Sequence, residues 1–449
     1  MPIIGSILLL MLSASILAVI VSDSLKSTCY ILSTRNIFLL GFLLFQSGSA
    51  TFTLLTGVNE ANLYLNYPGK TGIIFFILCT CFISIFLFTY KHCGNLMPSA
   101  FIPRPRRIVS SSAMVGIAFF ALAFGLLCRF VLSQIPVIGQ IPIELAVGCF
   151  SLACCLMVWE WGKQSWNPIL GALLLLAITV SVLSLLVNAF GRREILGVFM
   201  CMAWMLFYLK WRTLSLGNLL GRVAIWGTLI VTITVVFSSA RSGGEKNRSA
   251  AEYLQAIGNI SMNDIEEQLM GGLSGQFAGG ISMWIYETRP DDFAYDTLHT
   301  VRYIVTLPIP RESYPGKPNS LGKLLVKQAM ITRVGDDHNL GPGLIGHTIN
   351  DFPWIALPLY AIGLALIFRY IDTRVASNCQ DPFQVAILGA GISQILALGR
   401  GELGQFLVLM FCYMAGAWFI IQFISLFLSG DFAESEDVEF SEDEAAEEA

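Results

Sequence analysis

The chain has 449 residues, of which 55% are hydrophobic and only 13% charged, and its mean hydropathy is +0.68. Soluble domains carry about 25% charged residues, so this composition excludes a string of soluble domains and points to a polytopic membrane protein. A formal net charge of −4 and an isoelectric point near 5.7 provide no global basic field for nucleic acid.

A spanning helix needs about 20 mainly apolar residues. Eleven segments meet that demand, centred on 3–21, 37–56, 71–90, 113–132, 144–160, 168–190, 195–209, 221–239, 352–369, 382–398 and 404–428. The first lacks a basic region ahead of its apolar run, so it reads as a retained helix and not a cleaved signal. The seventh is short and the tenth Gly-rich, which predicts a tilt or a break. Arg129, near one end of the fourth, is the only charge this reading places well inside a span. The fold class expected is all-α. Residues 1–239 would hold eight spans, 240–351 one large, mainly helical loop, 352–428 three more spans, and 429–449 an acidic tail. Nine Asp and Glu between Asp431 and Glu447, with no Lys or Arg among them, predict that the tail is disordered.

The eleven cysteines sit mostly inside apolar runs, where thiols behave as small hydrophobes. None has zinc-site spacing, so neither a metal nor another cofactor is expected.

Lys and Arg in short loops set orientation. One alternating set of loops carries twelve (Lys26, Arg35, Lys91, Arg104, Arg106, Arg107, Lys163, Lys210, Arg212, Arg222, Arg369 and Arg374), and the other carries four (Lys70, Arg192, Arg193 and Arg400). The richer set is expected to be cytoplasmic. That places the N-terminus and residues 240–350 outside and the acidic C-terminus inside.

The outer exceptions draw attention, because arginine there works against the insertion bias. Arg192 and Arg193 end the sixth span in Asn188-Ala-Phe-Gly-Arg-Arg-Glu194, and Arg400 lies between the last two spans in Leu398-Gly-Arg-Gly-Glu-Leu403. Snorkelling to lipid headgroups is the plainer explanation for a single such arginine. Here the loop adds Arg241, Arg311, Lys317 and Arg333 on the same side, with His299, His338 and His347 and the acids Glu194, Asp351 and Glu402.

Within the loop, residues 250–270 place Leu254, Ile257, Ile260, Ile265 and Leu269 at helical spacing. Gly271 to Gly280 reads as a flexible joint and 281–307 as a second helical stretch. Prolines hold 307–318 extended or turned. Arginine grips phosphate oxygens bidentately at any working pH, so the cationic cluster predicts a phosphate or diphosphate ligand. No nucleotide-binding fingerprint is present, and a lipid-linked phosphate fits the outer face.

The segment Pro308-Ile-Pro-Arg311 through Pro315-Gly-Lys317-Pro318, the Gly-rich run Gly341 to Asp351 leading into a span, Gly-Arg-Arg-Glu194 and Arg-Gly-Glu402 together resemble bacterial O-antigen and exopolysaccharide polymerases. The resemblance covers roughly 185–405 and includes many spans with one large outer loop. Arg311 and Gly322 also match an arginine–glycine spacing of that family, with ten residues between them. A departure is His347, where related polymerases more often carry an acid. The resemblance implies an inner-membrane glycosyltransferase with a periplasmic loop, a polyprenyl-diphosphate-linked oligosaccharide as substrate and the bilayer as partner. A chain-length regulator and a flippase would be further partners. Arg192, Arg193, Arg311, Arg400 and Lys317 would then face the diphosphate, and His347, Asp351, Glu402 or Glu194 would accept the acceptor hydroxyl's proton. Each acid also has an ordinary reading, as an ion-pair partner or a helix-start residue, and His347 could simply bond loop backbone. An O-antigen ligase shares the layout, and a transporter or flippase of lipid-linked sugars is the rival from another class.

Overall fold

The structure, a computed structural model, describes residues 2–26, 29–59, 63–93, 109–135, 140–164, 167–186, 192–242, 277–309, 313–330 and 339–427, with Arg311 and parts of 252–265. All regular structure among them is helical. Arg333, His338, the acidic tail and most of the amphipathic stretch expected at 250–270 lie outside the described residues.

Long apolar runs form the helices, because hydrocarbon leaves no other partner for their backbone groups. In chain order they are α1 (Pro2–Leu25), α2 (Thr34–Phe42), a π-helical turn at Leu43–Gly48, α3 (Ser49–Thr56), α4 (Pro68–His92), α5 (Ser111–Phe130), α6 (Gln140–Lys163), α7 (Pro168–Leu186), α8 (Arg192–Leu209) and α9 (Leu216–Ser242). The loop then supplies α10 (Ala278–Thr288), α11 (His299–Thr306), α12 (Leu321–Gln328) and α13 (Gly343–Asn350). The last spans are α14 (Pro353–Ser377), α15 (Pro382–Gly389) with α16 (Ile392–Ala397), and α17 (Leu403–Phe427).

Eight helices among the described residues are long and apolar enough to cross a membrane, the α2–α3 pair counting as one. Two of the other three expected spans depart from a regular crossing, each for a visible reason: helix α8 opens with Arg192-Arg193-Glu194, and the tenth segment breaks between α15 and α16 at Gly391. Helix α9, the eighth expected span, is 27 residues long. Helix α6 is the centre of the bundle: 83% of its most apolar window is buried, against 33% for α1 at the periphery. Its close crossing with α17 uses paired glycines. A Cβ at Gly148 would meet the Tyr413 backbone and one at Gly416 the Leu145 backbone, so a larger residue at either position would push the two helices apart.

Arg129 is not the only charge buried inside a span. Glu144 and Glu160 in α6 and Asp372 in α14 are buried as well. All of them lie within about a turn and a half of a helix end, so these charges stay away from the middle of the bundle. Asp372 has a structural task, accepting the Thr34 N–H (2.7 Å), the Arg35 N–H (3.2 Å) and the Tyr90 hydroxyl (2.7 Å) at the start of α2.

Candidate functional site

At the end of the bundle that carries the loop, the turn Gly399-Arg-Gly-Glu402 joins α16 to α17. The π-helical turn in the second span brings Gln46 to this turn, where its Nε2 donates to the Gly399 carbonyl (2.6 Å) and its Oε1 accepts from the Ser282 hydroxyl (3.4 Å). Gly343, at φ +63°, passes so close to Gln46 and the Gly399 carbonyl that no side chain fits. Gly279 and Gly280, expected in a flexible joint, instead open α10 and pack against α3 and Asn59. The loop is thereby locked onto the spans, and three sequence-distant segments share one buried polar centre.

Glu402 sits at the middle of that centre and is 3% exposed. Its Oε1 accepts the Leu321 N–H and its Oε2 the Gly322 N–H, both at 3.1 Å, so the carboxylate caps the N-terminus of α12. Those donors and the helix dipole favour the anion, but burial outweighs them and pushes the carboxyl up to about 7.

His347 is fully buried in α13, and its Nε2 lies 3.6 Å from Glu402 Oε1. That nitrogen accepts the Leu403 N–H (3.1 Å), which assigns the proton of the neutral ring to Nδ1 and makes it the donor to Thr300 Oγ1 (2.7 Å). Burial, with His299 nearby, pushes the imidazole down to about 3. The ring is a bonded, neutral strut as it stands, with both nitrogens engaged by the protein.

Asp351 does not orient that imidazole directly. The two residues are four apart in sequence but do not share a spanning helix, because α13 ends at Asn350 and Phe352, at φ +75°, separates it from α14. Thr300 makes the link instead: its N–H donates to Asp351 Oδ2 (2.8 Å) while its hydroxyl meets the histidine. The Asn350 amide (3.0 Å) and the Tyr360 hydroxyl also donate to Asp351, yet burial still raises its carboxyl above the ordinary value. His299 packs on Tyr303, and both its ring nitrogens are buried without a hydrogen-bond partner among the described residues. Burial, then the neighbouring Glu402 charge, raises the Tyr303 phenol to about 12.

The cations fall into three groups. The Arg193 guanidinium stacks on Phe406 at 4.6 Å, in the first turn of α17 beside Glu402, and Arg400 is half-buried in the turn two residues before that carboxylate. Arg192 begins α8, with its side chain outside the described residues. Arg311 and Lys317 lace the proline-rich segment together: Arg311 Nη2 donates to Asn319 Oδ1 (2.8 Å), and Lys317 Nζ donates to the carbonyls of Leu307 (2.7 Å) and Ile309 (2.8 Å). Burial, then Arg311, lowers the Lys317 ammonium. Arg311 bears electrostatically on Tyr303, which places the exposed end of this lacing next to the buried centre.

Glu194 takes a different position. It is buried at the start of α8 within electrostatic reach of Arg129, as is Glu144, so it belongs to a second charge cluster of α5, α6, α8 and α17, in which Arg193 also acts on Tyr413. The structure therefore brings His347, Asp351 and Glu402 together and sets Glu194 apart.

Several members of the centre were not singled out from sequence. Thr300, Tyr360 and Gln46 are lone polar residues with no motif around them, and Gln46 alone had a signal, as an amide inside an apolar run. Arg289 was also missed. Its Nη2 donates to Gln328 (3.0 Å) and Asn350 (2.9 Å), while its buried Nε and Nη1 find no hydrogen-bond partner among the described residues.

No protein-family model, no curated protein and no solved structure matches the chain.

Proposed function

We propose that the chain is a bacterial inner-membrane polymerase that joins polyprenyl-diphosphate-linked oligosaccharide repeat units at the periplasmic face. The observation that carries this reading is the meeting of Glu402 with His347 and Asp351 where the loop closes on a many-helix bundle, with Arg400 in the same turn, Arg193 on Phe406 one turn along α17 and Arg311 acting on Tyr303. In the reaction, a hydroxyl of the acceptor sugar attacks the donor's anomeric carbon. The bond from that carbon to the diphosphate breaks, and the diphosphate leaves on its polyprenyl carrier. The hydroxyl proton passes to Glu402, whose carboxyl near 7 matches a base working at neutral pH. Arginines beside it offset the charge that grows on the leaving group. His347, with its ring pushed down to about 3, holds the Glu402–Leu403 turn and relays position from Thr300 and Asp351. Charges kept near helix ends favour this reading over a transporter, whose charges gather near the midplane.

A strain lacking the gene tests the reading through its surface or secreted polysaccharide. Single repeat units should accumulate. Full-length chains in normal amount would overturn the proposal, and full-length chains stranded on the lipid carrier would identify a ligase.

A further inference from the structure

Arg289 joins three helices of the loop at their C-terminal ends. It is the C-cap residue of α10, and its Nη2 donates to the side chains of Gln328 and Asn350, the last residues of α12 and α13. The side chain is buried, and no carboxylate hydrogen-bonds it among the described residues. Helix C-termini carry partial negative charge, so three of them, with the Asp296 charge, offset a cation held this deep.

Both tethers lead to Glu402. Gln328 and Leu321 are the two ends of α12, about 10 Å apart at 1.5 Å per residue. At the Leu321 end, the Leu321 and Gly322 N–H groups hold the carboxylate. A short helix pinned at its far end cannot tilt or slide at its near end. The other tether runs from Asn350, whose amide donates to Asp351, through Thr300 to His347, which accepts the Leu403 N–H beside Glu402.

We propose that Arg289 is a positioning residue for Glu402, fixing the N-terminus of α12 on one side of the carboxylate and the Asp351–Thr300–His347 chain on the other. This rests on the reading of Glu402 as proton acceptor. Among the described residues, His347 of α13, Asp351 after it, Tyr303 of α11, Arg400 in its own turn and Arg193 of α8 across Phe406 are the titratable and charged groups around Glu402. Helix α12 brings backbone donors, so displacing it changes the carboxyl without moving a charge.

The test follows the thermal midpoint of the purified full-length protein across pH, together with polymer formation in liposomes. In the wild type the midpoint should fall as pH rises and level off at about 7, where Glu402 ionises. Gln328→Ala cuts the α12 tether and removes no charge. The carboxylate should then lose its hold on the α12 donors, and the levelling-off should move up by about one pH unit. Polymer formation should fall about fivefold at neutral pH, the ionised fraction such a rise removes, and recover in more alkaline buffer. Arg289→Met should move both further, because it also frees Asn350. The displacement should vanish when Glu402→Gln is added, which ties it to that carboxyl. A residue that only stiffened the loop would lower the midpoint equally at every pH. Levelling-off at the wild-type pH in both variants would overturn the proposal; should Arg289→Met not fold, Gln328→Ala decides. Repeat units that stay single with the wild type would sink the polymerase reading, and the unfolding curves would still decide Arg289.

Discussion

Two backbone N–H groups hold the Glu402 carboxylate, and burial works against them; the balance, near 7, is what suits the residue to move a proton. Glu402→Gln keeps the shape and removes the base, and it should slow polymer formation by about 10²–10⁴-fold at unchanged protein level. The wild-type rate should rise with pH through about 7, because the ionised form is the acceptor. Stability should move the other way. The folded carboxyl lies above its ordinary value of 4.5, so the folded state binds the extra proton between those values and loses stability as pH rises from about 4.5 to about 7. Glu402→Gln should flatten that slope in thermal unfolding. His347, Asp351 and Glu402 were legible as candidates because each lies next to a span in a polar, Gly-rich segment. Their roles were not. An imidazole's ordinary value suits it to accept a proton, and only the Leu403 N–H, the Thr300 hydroxyl and complete burial, all set by distant segments, change that.

Helix α12 is the element whose position decides what Glu402 meets. Its N-terminus is capped twice, by the Ser320 hydroxyl on Lys323 N–H (3.4 Å) and by Glu402. Gly322 sits where a Cβ would collide with Asn339 and the Leu340 carbonyl. Gly322→Ala should displace the start of α12 from Glu402 and cost about 1–3 kcal/mol, the usual penalty of overpacking. Faster protease cleavage within 313–342 together with reduced polymer formation would report the displacement, and cleavage and activity at wild-type levels would show that the glycine is dispensable. The long spans and the break in the tenth were visible as apolar runs and a glycine cluster. The π-helical turn at Leu43–Gly48 was not, because nothing in Leu43-Leu-Phe-Gln-Ser-Gly48 marks a π-turn, and its geometry turns Gln46 toward segments more than 200 residues away.

For the whole molecule, the many-span architecture followed from composition, while the docking of the loop onto the spans did not, since it rests on close glycine approaches that hydropathy does not register. The basic-residue bias predicts that residues 240–350 lie outside and the acidic tail inside. Single cysteines at Ser274 and Ser435 in a cysteine-free chain should respond oppositely to an impermeant thiol reagent in intact spheroplasts. Position 274 should label and position 435 should not, and the reverse pattern would invert the topology and move the polar centre to the cytoplasm. Polymerisation itself is reached most directly by reconstitution of the purified chain in liposomes with polyprenyl-diphosphate-linked repeat units, the products being sized on a gel. A ladder of lengthening glycans should form with the wild type and fall to background with Glu402→Gln. Repeat units that stay single with the wild type, or that cross the bilayer unjoined, would contradict a polymerase.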